Sequence, residues 1–290
     1  MSWWNKLMSS KTRGQSPDSD PSSPGSQSET QEDWVASLSA PALINLEALA
    51  GIAQRHADEY RQADPFPHIM LEDFLSPEVI DSLVAEFPTP QDQLAWRRIR
   101  AESAEGDLVQ YNKLGMPLIE EMPPVIRELL WEMNSGTFLR FLEKLTGVEG
   151  LIADPKLRGG GLHQVLPGGV LGVHADFTDH GDYHLDRRLN VLIYLNQDWP
   201  EEYGGDLELW SPDMSQCVRK IRPLAGRCVI FNTSADSFHG HPRALTCPDG
   251  KTRKSIALYY YTNGRQDRDV TPTQITDWQT LPEVALPTAE

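Results

Sequence analysis

The stretch GLHQVLPGGVLGVHADF, residues 161–177, decides how this chain is read. It divides into two apolar β-type runs, GLHQVL (161–166) and VLGVHADF (170–177), with Pro167-Gly168-Gly169 between them. Proline and glycine punctuate local structure, so the runs are expected as short strands separated by a turn. On a strand, residues i and i+2 share a face, so His174 and Asp176 project together. Alone this pair is a weak signal, because a solvated polar face would carry the same spacing.

The same texture continues downstream. RLNVLIYLN (188–196), DLELW (206–210), QCVRKI (216–221), RCVIFNT (227–233) and KSIALYYYT (254–262) are short runs of β-branched, aromatic and aliphatic residues between Gly, Pro and Asp. Closely spaced short strands without long intervening helices predict an antiparallel sandwich or barrel, here a jelly roll, rather than a parallel βαβ sheet.

Upstream the period changes. Leu43, Leu46, Leu49, Ile52 and Ala53 recur at helical spacing, with Ser39 ahead of Pro41 as a start signal. A short strand is expected within PFPHIMLEDFL (65–75), and Ser76-Pro77-Glu78 then opens a helix ending before Pro88. Residues 88–122 show weak periodicity and read as a surface connection, with a lid or substrate loop as the alternative; their cations Arg97, Arg98, Arg100 and Lys113 are candidates to bind an acidic or phosphorylated group, solvated charge being the more expected role. Two further helices are expected at 124–133 and 135–145, the second capped by Ser135 and stopped by Gly147. The organisation is therefore a polar tail (1–35), a helical N-terminal part (36–150), a β core (151–265) and a C-terminal extension (266–290) of an α+β protein.

Composition narrows the function classes. The 290 residues carry 26 Lys plus Arg against 42 Asp plus Glu, a formal charge of −16. Such acidity argues against non-specific nucleic-acid binding and against docking on anionic membranes. No apolar run approaches the roughly 18–20 residues of a membrane span, and the start MSWWNKLMSS lacks the apolar core of a secretory signal. Three scattered cysteines (Cys217, Cys228, Cys247) suit a reducing, cytoplasmic setting better than a disulfide framework. Between residues 9 and 33 there is no residue of the set AVILMFWYC, so this tail is expected to stay disordered, with Trp3 and Trp4 at its tip.

The chemistry needs more than His174 and Asp176. SFHGHP supplies His239 and His241, again two apart. Two imidazoles and a carboxylate with open positions form the ligand set of non-haem Fe(II) oxygenases. Such a site needs a two-electron reductant, and 2-oxoglutarate is one economical choice. Its far carboxylate would need a cation, for which TRKSIALYYY offers Arg253, on the same strand face as Ser255, in preference to Lys254.

The motifs PGGVLGVHADF, RRLNVLIYLNQDW, YGGDLELW, RCVIFNTS, SFHGHP and TRKSIALYYY, in this order from about residue 161 to 265, resemble the Fe(II)/2-oxoglutarate-dependent oxygenase superfamily in its prolyl 4-hydroxylase-like branch. The resemblance implies a double-stranded β-helix with the metal at its mouth. It implies His174, Asp176 and His239 as metal ligands, His241 standing where that branch often carries Cys. It implies Arg253, Ser255 and Tyr194 as cosubstrate contacts. Asn190, His163 and His241 are candidate pocket residues. The cofactors implied are Fe(II) and 2-oxoglutarate, with ascorbate as a candidate accessory reductant and molecular oxygen as reactant. Asp176, in place of Ala or Gly, points to hydroxylation rather than halogenation. The expected substrate is a small molecule or a peptidyl side chain, prolyl among them; oligomeric state is left open. Two other readings compete: a cupin-type metalloenzyme that uses no 2-oxoglutarate, which would not need Arg253, and a non-catalytic jelly-roll binding module, which would not need a complete ligand set.

Overall fold

The computed structural model describes residues 42–286 apart from 73, 267–273, 282 and 285. The polar tail, Trp3, Trp4 and the Ser39 start signal lie outside the described residues. From Ala42 onward the described chain forms one compact unit.

Helix α1 (Leu46–Gln62) begins at Asn45, whose side chain accepts the Ala48 N–H. Strand β1 (His68–Leu71) follows, then α2 (Pro77–Glu86), whose Ser76 cap accepts from Val79 N–H with Pro77 in the first turn. Two apolar-faced helices, α3 (Pro124–Met133) and α4 (Gly136–Thr146), come next. Ser135 caps α4 through the Phe138 N–H, and Gly147, in the left-handed region at φ 78°, ends it.

Residues 88–122 depart from expectation. They hold a β-hairpin, β2 (Arg97–Glu102) and β3 (Leu108–Met116), and β3 pairs along β5 (Gly161–Ala175). The alternation that would reveal it is broken by register shifts in both pairings and by Asn112 at φ 50°. The N-terminal part is therefore not purely helical, since it adds strands to the core sheet.

The remaining strands are β4 (Ile152–Ala153), β6 (Asp179–His180), β7 (Leu185–Tyr194), β8 (Leu207–Trp210), β9 (Cys217–Ile221), β10 (Cys228–Asn232), β11 (His239–His241), β12 (Arg253–Thr262) and β13 (Asp277–Trp278). They pair antiparallel in the order β1-β10-β7-β12-β5-β11-β8-β9, a sheet that curls on itself in the manner of a jelly roll. The two runs about Pro167-Gly168-Gly169 are one bent strand. Residues 161–165 of β5 pair with β12, while Leu171 and His174 pair with β11.

Strand period 2 separates core from cavity. On β7, Val191 and Ile193 face the helical layer, as do Ile256, Leu258 and Tyr260 on β12 and Cys228 and Ile230 on β10. They pack with Leu83, Leu129, Phe138 and Leu142 of the helices. The alternate residues turn inward. Tyr194, Val229 and Phe231 meet Leu207, Leu209 and Ile221 from β8 and β9, while Asn190, Leu192, Ser255 and Tyr259 line a cavity. Both faces are buried, which makes these strands apolar almost throughout.

Gly240 sets a close backbone approach between β11 and β5. A Cβ there would lie 2.6 Å from the Gly172 carbonyl oxygen and 2.7 Å from that of Leu171, inside van der Waals contact with immovable backbone. Gly240→Ala is expected to push β11 off β5 and abolish metal uptake while largely preserving the far-UV circular dichroism; metal titration of the folded variant checks this.

Candidate metal centre and cosubstrate cavity

Cross-strand register brings the candidate ligands together. His239 on β11 pairs directly with His174 on β5, and Asp176 follows two residues beyond His174 at the end of β5. One ligand atom from each of the three lies within 4.8 Å of the others, and all three residues are buried. Asp176 Oδ1 is 3.6 Å from His174 Nε2, and Asp176 Oδ2 is 3.6 Å from His239 Nε2. Atoms sharing an ion through bonds of about 2.1 Å cannot be more than about 4.2 Å apart, a limit that both Asp176–histidine separations meet.

The tautomers are fixed by backbone. His174 Nδ1 is 2.9 Å from the Gly172 carbonyl oxygen, and His239 Nδ1 is 2.9 Å from that of Ser237. A carbonyl can only accept, so each Nδ1 carries the proton and each Nε2 turns a lone pair toward Asp176. Burial, outweighing Asp176, brings the His239 imidazole down to about 4, so it is neutral at physiological pH. Burial alone would raise the Asp176 carboxyl, but Arg187, His239 and His174 outweigh it and hold it well below the usual carboxylate range. The set therefore presents a neutral His239 imidazole and an ionised Asp176 carboxylate, protonation states that suit a metal.

Asp176 is also oriented by protein donors. Arg187 Nη2 reaches Oδ2 at 2.9 Å and Asn190 Nδ2 donates to the same oxygen at 2.7 Å. Arg187 in turn donates twice to Asn190 Oδ1, at 3.0 and 2.7 Å, and its guanidinium lies 3.5 Å above the Tyr259 ring. Asn190 thus lines the cavity and braces a candidate ligand.

The other candidate contacts line the same cavity of about 210 Å³. Arg253 is buried; its Nε donates to the Gly205 carbonyl at 2.6 Å and its Nη2 to the Tyr194 hydroxyl at 3.2 Å. Gly205, at φ 79°, permits this approach, since a Cβ would sit 2.9 Å from Arg253 Cδ. Ser255 pairs with Tyr194 on one side and His163 on the other, so the three side chains form one inward row. His241 is buried at 3% exposure, lines the cavity, and has no hydrogen-bond partner on either ring nitrogen among the described residues. Burial, then Arg253 and Lys113, holds its ring well below the ordinary imidazole range.

Three cavity residues escaped the sequence reading. Arg187 is out of phase with Asn190 because β7 carries an extra residue: Tyr260 and Tyr261 pair with Leu189 and Arg187, skipping Arg188. Lys113 was grouped with Arg97, Arg98 and Arg100; those three are exposed, while Lys113 is half-buried in the cavity. Burial lowers its ammonium to about 8. Trp278, on β13, pairs with His174 and lies against its ring at 4.7 Å. The C-terminal extension thus returns to the candidate metal centre, a contact that no spacing rule would reveal.

Residues 160–261 match the family described as the 2OG-Fe(II) oxygenase superfamily. This segment is similar to 2OG-Fe(II) oxygenase domains. Over 94 residues the chain is 31% identical to prolyl 3-hydroxylase OGFOD1 of Mus musculus, an overlap of 30% of this chain and 17% of that protein. The chain therefore matches less than a fifth of that relative's length. The likeness of fold to solved structures extends beyond the matched segment. The crystal structure of a Pseudomonas putida prolyl-4-hydroxylase superposes with a TM-score of 0.53 at 17% identity, covering 73% of this chain and 100% of that one. A prolyl hydroxylase from Trichoplax adhaerens, in complex with a peptide fragment of a hypoxia inducible factor oxygen degradation domain, superposes at 0.52 and 17% identity, covering 74% and 91%. Within the matched segment, His174, Asp176 and His239 could hold Fe(II), and the Arg253–Tyr194 pair could receive a carboxylate of 2-oxoglutarate.

His239 and His241 separate experimentally. His239→Ala and Asp176→Ala are each expected to lower Fe(II) or Mn(II) affinity at least a hundredfold, whereas His241→Ala leaves it within a few-fold. Equilibrium dialysis of the three variants reads this directly, and equal losses at His239 and His241 would reverse the assignment.

Proposed function

We propose that the oxygenase domain is an Fe(II)- and 2-oxoglutarate-dependent dioxygenase that hydroxylates an amino-acid side chain, with a prolyl residue in a peptide as first candidate. One observation carries this: the ligand-type atoms of His174, Asp176 and His239 converge on the cavity into which Arg253 and Tyr194 also project. A jelly-roll metalloenzyme without 2-oxoglutarate has no need of a buried guanidinium there, and a mere binding module has no need of the ligand set.

Held by His174, Asp176 and His239, the iron would supply oxygen activation coupled to oxidative decarboxylation of 2-oxoglutarate, and hydroxyl transfer to a C–H bond of the substrate. The chain's own residues supply everything positional. Arg253 is preset by the Gly205 carbonyl and Tyr194, so it offers a carboxylate a guanidinium already fixed in place. Ser255 adds a hydroxyl beside it on the same strand face. Arg187 and Asn190 keep Asp176 ionised and fix its orientation. Phe177, Tyr259 and Trp278 line the same cavity and limit its water.

The peptide held by the Trichoplax adhaerens neighbour and the prolyl 3-hydroxylase activity in the name of the Mus musculus relative support a peptidyl substrate. The three cysteines are unpaired, which supports the reducing, cytoplasmic setting read from the sequence. Among the described residues no helix is long and apolar enough to cross a membrane.

Anaerobic addition of Fe(II) and then 2-oxoglutarate is expected to produce a weak visible charge-transfer band, lost in Asp176→Ala. In air, prolyl peptides should stimulate succinate release, with one oxygen incorporated per substrate by mass spectrometry. No band and no succinate from metal-loaded, folded protein would sink the reading.

A further inference from the structure

Beside Arg253 and Arg187 the cavity holds a third cation, Lys113, for which the site as described gives no use. Lys113 and Arg253 stand on opposite sides of Val165: Lys113 pairs with it across β3–β5 and Arg253 across β5–β12. Directly paired residues share a face, and Val165 lines the cavity, so all three turn inward at one level. Adjacent strands are about 4.8 Å apart, which puts the Lys113 and Arg253 backbones roughly 10 Å from each other and their long side chains within reach of one small anion.

The Lys113 side chain makes no hydrogen bond or salt bridge among the described residues. The cavity's carboxylate, Asp176, is already engaged by Arg187 and Asn190. An ammonium half-buried without a partner is costly, and burial accordingly draws its pKa down to about 8. A second orphan faces the same cavity: His241, with both ring nitrogens unpartnered and 3% exposure. Arg253 and Lys113 are the two charges that act most strongly on it. An unsatisfied cation and an unsatisfied imidazole beside the Arg253–Tyr194 pair together describe a site built for more oxygen acceptors than one guanidinium can serve.

We propose that Lys113, with His241 beside it, forms a second arm of the cosubstrate clamp, so that the carboxylate of 2-oxoglutarate remote from the metal is gripped between Arg253 and Lys113. This rests on the oxygenase reading and extends it to residues from the β2–β3 hairpin, a part of the chain outside the matched family segment. The hairpin thereby becomes a wall of the cosubstrate site, and Gly115 on β3, whose added Cβ would lie 2.6 Å from Ile99 Cδ1 of β2, leaves room for the Ile99 side chain at that wall.

The test compares two keto acids on Mn(II)-loaded protein without turnover. Calorimetric titration uses 2-oxoglutarate and 2-oxobutyrate, which keeps the metal-binding end and lacks the remote carboxylate. Lys113→Met is expected to weaken 2-oxoglutarate about tenfold or more, the scale of a lost charge-assisted contact, and to leave 2-oxobutyrate and Mn(II) affinity unchanged. Lys113→Arg, which keeps the charge, should stay within about threefold of wild type. If Lys113→Met does not fold, Lys113→Gln takes its place. Unchanged 2-oxoglutarate binding, or an equal loss for both keto acids, overturns the second arm while leaving the oxygenase reading intact. Absence of 2-oxoglutarate binding by the wild-type protein overturns both.

Discussion

The structure depends on one pairing, that of β11 with β5. It sets His239 opposite His174 and joins residues 65 positions apart in sequence into a single candidate metal site. The pairing is tight because Gly240 lets backbone approach backbone, and it is specific because a one-residue slip of β11 would turn His239 away from the cavity. The bend of β5 serves the same end. Its first half belongs to the strands that carry Arg253, Ser255 and Tyr194, and its second half to those that carry the candidate ligands. One strand thus holds both ends of the cavity in fixed relation.

Around that pairing, burial and charge are balanced locally. Asp176 stays ionised in a dry environment because Arg187 and Asn190 reach it, and Arg187 is itself covered by Tyr259 and Phe177. Removing Arg187 would leave the buried Asp176 charge uncompensated, the more expensive half of such a pair. The two histidines give their Nδ1 protons to backbone carbonyls two residues earlier, so strand geometry itself selects the tautomer. The apolar layer between sheet and helices contributes rigidity: the strands that bear inward polar residues show their other face to Phe138, Leu142 and their neighbours.

Much of this was legible from residue types and spacing. The alternation in RLNVLIYLN and KSIALYYYT identified strands, and i, i+2 spacing put His174 with Asp176 and Arg253 with Ser255. Ser76, Ser135 and Gly147 marked helix ends where the structure has them. The failures have equally physical causes. Arg187 was hidden by an extra residue in β7, since a bulge reverses which parity points inward. The β2–β3 hairpin was hidden by register shifts and by Asn112, so no period survived in 88–122. Lys113 looked like its exposed neighbours because composition carries no information about which cation of a hairpin turns inward.

What the sequence alone determined is therefore the chemistry on offer: two imidazoles and a carboxylate, a guanidinium with its hydroxyl partner, and strands of the right parity to carry them. Those follow from local rules of period 2 and of side-chain type. Which groups meet was decided by tertiary structure. The choice of His239 opposite His174, the return of Trp278 onto the His174 ring, and the entry of Lys113 into the cavity all arise from long-range strand pairing. Register between distant strands is set by the packing of the whole sheet, and no local window of sequence contains it.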